Sequence, residues 1–387
     1  MSPTPVTMTP PTAPPGYSWE ATSEQVAERY GVDVADVLRF DLNTAPAAPE
    51  EALAFLAAGQ FESSMSEYPP SDYRRLTRAA AVRYGVAIDE ILVGAGADEI
   101  LDIVAKAFLP PGAAAVVPVP TYSMYRVLTD QRPARTVAVP RLGAPAGFAL
   151  DVPAVREAAR DAALVWLCSP NNPTAKAEPP GAIAELLDGL RTDAEAAGPV
   201  APVVVLDEAY AEFAGSTLVG LRHSYPRLIV VRTASKAYGL AGLRVGFAVA
   251  RPEMIVAMEP YRPPGSVSVV SVEIATCAFE TDGWLEPRIE AIHRERDRLG
   301  AALTELGWPP LPSTTNFLLV PFLTAERAAR VAEALLRAGI VPRTFGSTHP
   351  LADHLRITVR SADEDDRFLA AARHIAAEEA LAPEEDP

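Results

Sequence analysis

Cysteine is scarce in this chain of 387 residues, which holds only Cys168 and Cys277. Two thiols make no disulfide framework, so a reducing cytoplasm is the expected compartment. Basic charge is also short. Lys and Arg total 34 against 50 Asp and Glu, a formal net charge of −16, and no Lys/Arg run is long enough to follow a phosphate backbone. The global field therefore excludes nucleic acid and an anionic membrane surface as partners, while leaving room for a local basic pocket. No uninterrupted apolar stretch reaches the length of a membrane span. The first residues lack the basic-then-apolar pattern of a secretory signal. The five histidines form no metal-ligand pattern. His349 and His354 have no cysteine or repeated carboxylate spacing beside them, so no metal is expected.

Proline is plentiful, at 38 residues, and uneven. Pro3, Pro5, Pro10, Pro11, Pro14 and Pro15 predict a disordered, polyproline-like arm over residues 1–22. Beyond it the composition is that of a soluble globular protein, 49% hydrophobic and 22% charged, and the length asks for more than one lobe. Ser23 is placed to cap a helix running to Tyr30, with Gly31 just past its end.

Short apolar runs follow at Ile91–Val93, Ala115–Val119, Thr136–Val139, Ala163–Cys168, Val203–Leu206, Leu228–Arg232 and Gly246–Ala250. They are hydrophobic throughout rather than alternating, which fits strands covered on both faces. Helical patterns at Ala97–Phe108 and Tyr122–Thr129 lie between them. The class is α/β, with a mostly parallel sheet and helices on both sides. From about Pro287 the texture changes: a charged helix over Arg288–Leu306, a strand at Thr315–Val320, a helix near Ala325–Ala338, a strand at Leu355–Thr358 and a last helix. The predicted division is residues 23–286 for an N-terminal segment and large domain, and 287–387 for a smaller α+β domain.

Ligands in such sheets bind at the carboxyl ends of strands. Four of those ends are polar in succession: Gly94–Glu99, Ser169–Thr174, Asp207–Tyr210 and Thr233–Lys236. Together they offer what one cofactor needs. A phosphate takes backbone N–H groups at a helix start, a hydroxyl (Ser235) and a guanidinium (Arg244). A pyridinium nitrogen takes a fixed carboxylate, Asp207. A phenolate accepts from an amide and a phenol, Asn172 and Tyr210. An aldehyde takes the amine of Lys236. The rival motifs are incomplete. Gly94-Ala95-Gly96 lacks the third glycine of a dinucleotide turn. No oxyanion-type glycine turn precedes Ser235-Lys236, as a serine hydrolase would need.

Ser169–Thr174, Asp207–Phe213 and Ser235–Gly246 resemble the corresponding segments of class I/II, fold-type-I pyridoxal-phosphate aminotransferases. Within that superfamily the chain looks most like the histidinol-phosphate aminotransferases. Tyr68-Pro69, Gly94–Asp102 leading to Phe108-Leu109-Pro110-Pro111-Gly112, Pro120–Tyr125 and Leu355-Arg356-Ile357-Thr358-Val359 carry that likeness, which spans about residues 23–375. The resemblance implies a large domain with a mostly parallel central sheet and a smaller α+β domain. It implies that Lys236 carries pyridoxal 5′-phosphate as a Schiff base and moves the substrate's proton. Asp207 would pair with the ring nitrogen, Asn172 and Tyr210 with the ring oxygen, and Tyr122 would stack on the ring. Ala97, Asp98, Ser235 and Arg244 would hold the phosphate. Tyr68 would serve the neighbouring subunit of a homodimer. Arg356 and Arg343, with Asn43 nearby, would bind the acidic group of a small amino donor.

The chain departs from the family pattern at three places. Asn43-Thr44-Ala45-Pro46 stands for the usual Asn-Glu-Asn-Pro, Ala175 for a glycine, and Arg360 for a glycine after the closing strand. The activity implied is transamination of histidinol phosphate with 2-oxoglutarate, a step of histidine biosynthesis. The alternatives are an aromatic amino-acid aminotransferase, a threonine-phosphate decarboxylase or a non-catalytic regulator that binds the same cofactor.

Overall fold

The computed structural model describes residues 17–59, 61–197 and 200–381. Most of the proline-rich arm lies outside them. Seven strands form the central sheet: β1 (Ile91–Gly94), β2 (Ala114–Val119), β3 (Arg135–Pro140), β4 (Leu164–Cys168), β5 (Val203–Asp207), β6 (Leu228–Thr233) and β7 (Gly246–Ala250). Their order across the sheet is β1-β7-β6-β5-β4-β2-β3. All pairings are parallel except the two made by β7.

Successive residues of these strands feed two different cores. Val204 and Leu206 of β5 belong to one, Val203 and Val205 to the other. A strand's side chains alternate between faces, so covering both faces demands an unbroken apolar run. That is why the seven runs stand out in the sequence. Because β7 runs opposite to the rest, it begins at the edge where β1, β4, β5 and β6 end. Four polar strand ends and the residues just before Gly246 therefore meet at one edge.

In the smaller lobe, β8 (Phe317–Pro321) pairs antiparallel with β9 (His354–Thr358). Two N-terminal residues, Leu38 and Arg39, pair in parallel with Ile340 and Val341. Val26, Ala27 and Val37 pack with Val341. The segment at 23–41, grouped with the large domain from sequence, thus packs on the small lobe. Its helix is capped by Thr22, not Ser23: Thr22 Oγ1 accepts from Gln25 N while the Gln25 side chain accepts from Thr22 N. Such reciprocal caps need Gln or Glu three residues on, a pattern that Thr22 has. Likewise the helix predicted over Tyr122–Thr129 is Met124–Gln131, leaving Tyr122 on a turn. Among the described residues no helix is long and apolar enough to cross a membrane.

Candidate active site

A cavity of about 550 Å³ opens at the shared strand edge. Ala97, Asp98, Tyr122, Asn172, Asp207, Tyr210, Ser235, Lys236, Arg244, Arg343 and Arg356 all line it, and so does Asn43. Tyr68 does not; it is 92% exposed on the surface of its own chain.

Three glycines make the anion end. The helix α1 (Gly96–Phe108) starts directly after β1. Gly96 has φ +85, and a Cβ there would lie 2.5 Å from Arg244 Nη2. A Cβ on Gly246 would lie 2.5 Å from Ala97 N, and one on Gly94 2.8 Å from Ile100 Cδ1. Their absence lets the helix N-terminus, Ser235 and Arg244 converge on one spot. Backbone N–H groups, a hydroxyl and a guanidinium there make a phosphate cradle. Arg244 is oriented toward it by a long contact to Asp98 Oδ2 at 3.4 Å.

Asp207 ends the central strand β5 and is 4% exposed. Its Oδ2 accepts from the Tyr125 hydroxyl at 2.8 Å and its Oδ1 from Ala209 N at 2.9 Å. Burial raises its pKa to about 6, against the opposing pull of those two hydrogen bonds. The carboxylate is still ionised at neutral pH, as a partner for a pyridinium must be. Across the cavity, Lys236 Nζ lies 3.2 Å from Leu42 O and 5.7 Å from the Tyr210 ring. Burial first, then the charge of Arg356, lowers its amine to about 8. A minority of the amine, far more than for an ordinary lysine, is thus neutral near physiological pH, the form that attacks a carbonyl or accepts a proton.

Tyr210 is buried, and burial raises its phenol pKa. Its oxygen accepts from Asn43 Nδ2 at 3.0 Å, leaving its own proton to donate into the cavity. Asn43 also accepts from Thr358 Oγ1 at 3.1 Å. The structure therefore places Asn43 as a support for Tyr210, although the sequence assigns it to the substrate. Asn172 accepts from Arg356 Nη1 at 2.6 Å, which turns its amide nitrogen toward the cavity's remaining space. These groups match the phosphate, pyridinium nitrogen, phenolate and aldehyde of pyridoxal 5′-phosphate.

At the other end of the cavity, Arg343 and Arg356 face each other across an antiparallel bridge, each N–H donating to the other's carbonyl at 3.0 Å. Residues directly opposite in such a pair project from the same face. Arg356 is buried, and its Nε has no partner among the described residues. Arg343 is engaged by residues that the sequence assigned to the disordered arm. It donates to Ser18 O at 2.8 Å and lies over the Tyr17 ring at 5.4 Å. Glu20 accepts from Thr344 N at 2.8 Å. Residues 17–20 thus pack over the cavity mouth, where Tyr17 and Trp19 join its wall.

Tyr125 is fully buried, stacked on Trp166 at 5.5 Å. Its hydroxyl on Asp207 makes it a positioning residue as well. The available signal is its spacing, three residues after Tyr122 at the opening of a helix. A hydrogen bond to the ionised form lowers a carboxyl pKa, so removing it raises that pKa. Tyr125→Phe should therefore move the acid limb of the rate–pH profile upward by about 1–2 pH units, the scale of one hydrogen bond to a charged group. A profile superimposable on the wild type would show that Tyr125 only fills space.

The family described as aminotransferase class I and II matches residues 37–372. A histidinol-phosphate aminotransferase of Symbiobacterium thermophilum is 37% identical, covering 87% of this chain and 90% of that protein. One from Roseiflexus castenholzii is also 37% identical, covering 91% and 93%. The crystal structure of histidinol-phosphate aminotransferase from Sinorhizobium meliloti in complex with pyridoxal-5′-phosphate superposes with a TM-score of 0.83 at 26% identity, covering 95% of this chain and 96% of that one.

Proposed function

The chain belongs to the class I and II aminotransferases, and we propose that it moves the amino group of histidinol phosphate to 2-oxoglutarate with pyridoxal 5′-phosphate held on Lys236. The observation that carries the substrate is the pair Arg343 and Arg356, directly opposed and lining the cavity that holds Lys236. A phosphate dianion offers three oxygens and more charge than a carboxylate, so it engages two guanidinium groups where one bidentate fork serves a carboxylate.

When bound, the cofactor supplies an electron sink for negative charge at the substrate's α-carbon. The chain's own groups do the rest. Lys236 Nζ takes the α-proton and returns it, a task suited to an amine whose pKa burial has lowered to about 8. Asp207 would pair with the cofactor's ring nitrogen through its fixed negative charge. Tyr210 and Asn172 would donate to the ring oxygen. Arg356 fixes the donor's acidic group so that the α-hydrogen faces Lys236. Tyr17 and Trp19 wall the mouth of the cavity. The setting is the cytoplasm.

Arg343→Ala should weaken use of histidinol phosphate by about 1.5–3 kcal/mol in kcat/KM, the scale of a charge-assisted hydrogen bond. Glutamate, served by Arg356 alone, should be hardly affected. Equal losses for both donors would make Arg343 structural. No loss for either, with phenylalanine turned over better than histidinol phosphate, would favour an aromatic amino-acid aminotransferase.

The reading includes a symmetric homodimer in which Tyr68 completes the partner's site. Its 92% exposure, with Met65 at 73% nearby in sequence, supports a surface meant to be covered. Mixing Tyr68→Phe subunits with Lys236→Ala subunits should restore activity, because one hybrid site then carries neither lesion. An active enzyme that stays monomeric at assay concentration would exclude the shared site.

A further inference from the structure

A second cavity, of about 450 Å³, lies between the lobes on the far side of the segment 43–47. Ala45, Pro46 and Ala47 form one wall and Ala237, next to Lys236, another. Phe213 and Ile292, both buried, supply an apolar floor.

The polar groups around it are unevenly spent. Arg298 is paired with Glu295 and Asp366, and Arg360 with Glu364. Arg288 donates to Ala47 O at 2.5 Å but has no carboxylate within ion-pair distance among the described residues. Arg294, on the exposed rim, makes neither hydrogen bond nor ion pair with a described residue. Asn316 also lines the cavity. It is fully buried and donates through Nδ2 to Asn43 O at 3.1 Å, which ties this wall to the segment at 43–47.

Two departures from the family pattern meet here. Ala45 stands in the wall for an amide, and Arg360 adds a guanidinium whose Nη1 donates to Thr44 Oγ1 at 3.3 Å. The second change adds positive charge to the cavity in a chain of net charge −16. We propose that this cavity is a second, non-catalytic binding site for a small organic anion with a flat apolar body. The acid lies on Arg288 and Arg294 and the ring on Pro46, Phe213 and Ile292. The volume suits a molecule of amino-acid size or somewhat larger. Occupancy would brace the segment 43–47, whose Asn43 supports Tyr210 in the catalytic cavity. The site is independent of the identity of the amino donor.

Calorimetric titration of the cofactor-loaded full chain with indole-3-acetate, which joins a flat ring to one carboxylate, tests this. One site per chain is expected. Arg294→Glu, at an exposed position, should weaken binding about tenfold or more, and Arg356→Ala should leave it unchanged. No binding up to about 1 mM would overturn the proposal. So would binding lost in Arg356→Ala and kept in Arg294→Glu, which would put the anion in the catalytic cavity. Because the readout is heat of binding, a different amino donor would not change the outcome.

Discussion

Lys236→Ala should remove turnover, by about 10⁴-fold or more, while leaving the fold intact. Two features set the size of this effect. The amine is both the covalent anchor for the cofactor and the group that carries the α-proton, so a single truncation removes two roles. No nearby base can substitute. Tyr210 is held protonated by burial, and the thiol of buried Cys168 is pushed up to about 12. The fold should not suffer, because Nζ makes one hydrogen bond among the described residues, to Leu42 O. Thermal unfolding with a midpoint near the wild type, together with lost activity, is the expected pair of results. Substantial residual transamination would reassign the base.

Asp207→Asn should slow α-proton removal by about 10²–10³-fold or more, the cost of removing one preorganised electrostatic partner from a water-excluded site. The change is nearly isosteric, and both oxygen positions are fixed by Tyr125 and Ala209 N. Geometry therefore persists while the charge disappears. The penalty arises because an amide cannot keep the facing ring nitrogen protonated, so charge at the α-carbon has nowhere to spread. Single-turnover rates with α-deuterated donor should show a larger isotope effect in the variant, since proton removal becomes fully limiting. Near-normal rates would remove Asp207 from the chemistry.

How much of this was readable before folding depends on the physical signal each residue carries. The strands of the large sheet are legible because both faces are buried, and their polar ends stand out against Val203–Leu206 and its counterparts. Lys236, Asp207, Asn172, Tyr210 and Arg244 sit at those ends, so their convergence follows from the topology. The helix Val269–Glu280 has no such signature. Nine of its twelve residues are buried, so it lacks a polar face and a helical period. Asn43 reads as a pocket residue, but its amide is spent on Tyr210 and Thr358, a contact across 315 positions that no local pattern announces. Tyr125 illustrates the same limit: its burial is predictable from type, whereas its hydroxyl partner is 82 positions away. Residues 17–20 escape notice because the prolines before them dominate the composition, while Tyr17 and Glu20 act through single contacts.

The most direct test of the central claim uses the scarcity of lysine, of which the chain has three: Lys106, Lys176 and Lys236. Lys106 is engaged with Asp102 at 2.5 Å, and Lys176 does not line the catalytic cavity. Borohydride treatment of the yellow, cofactor-loaded protein followed by peptide mapping should place the label on the peptide containing Lys236 alone. A label on Lys106 or Lys176, or no covalent label in protein that turns over substrate, would contradict the account.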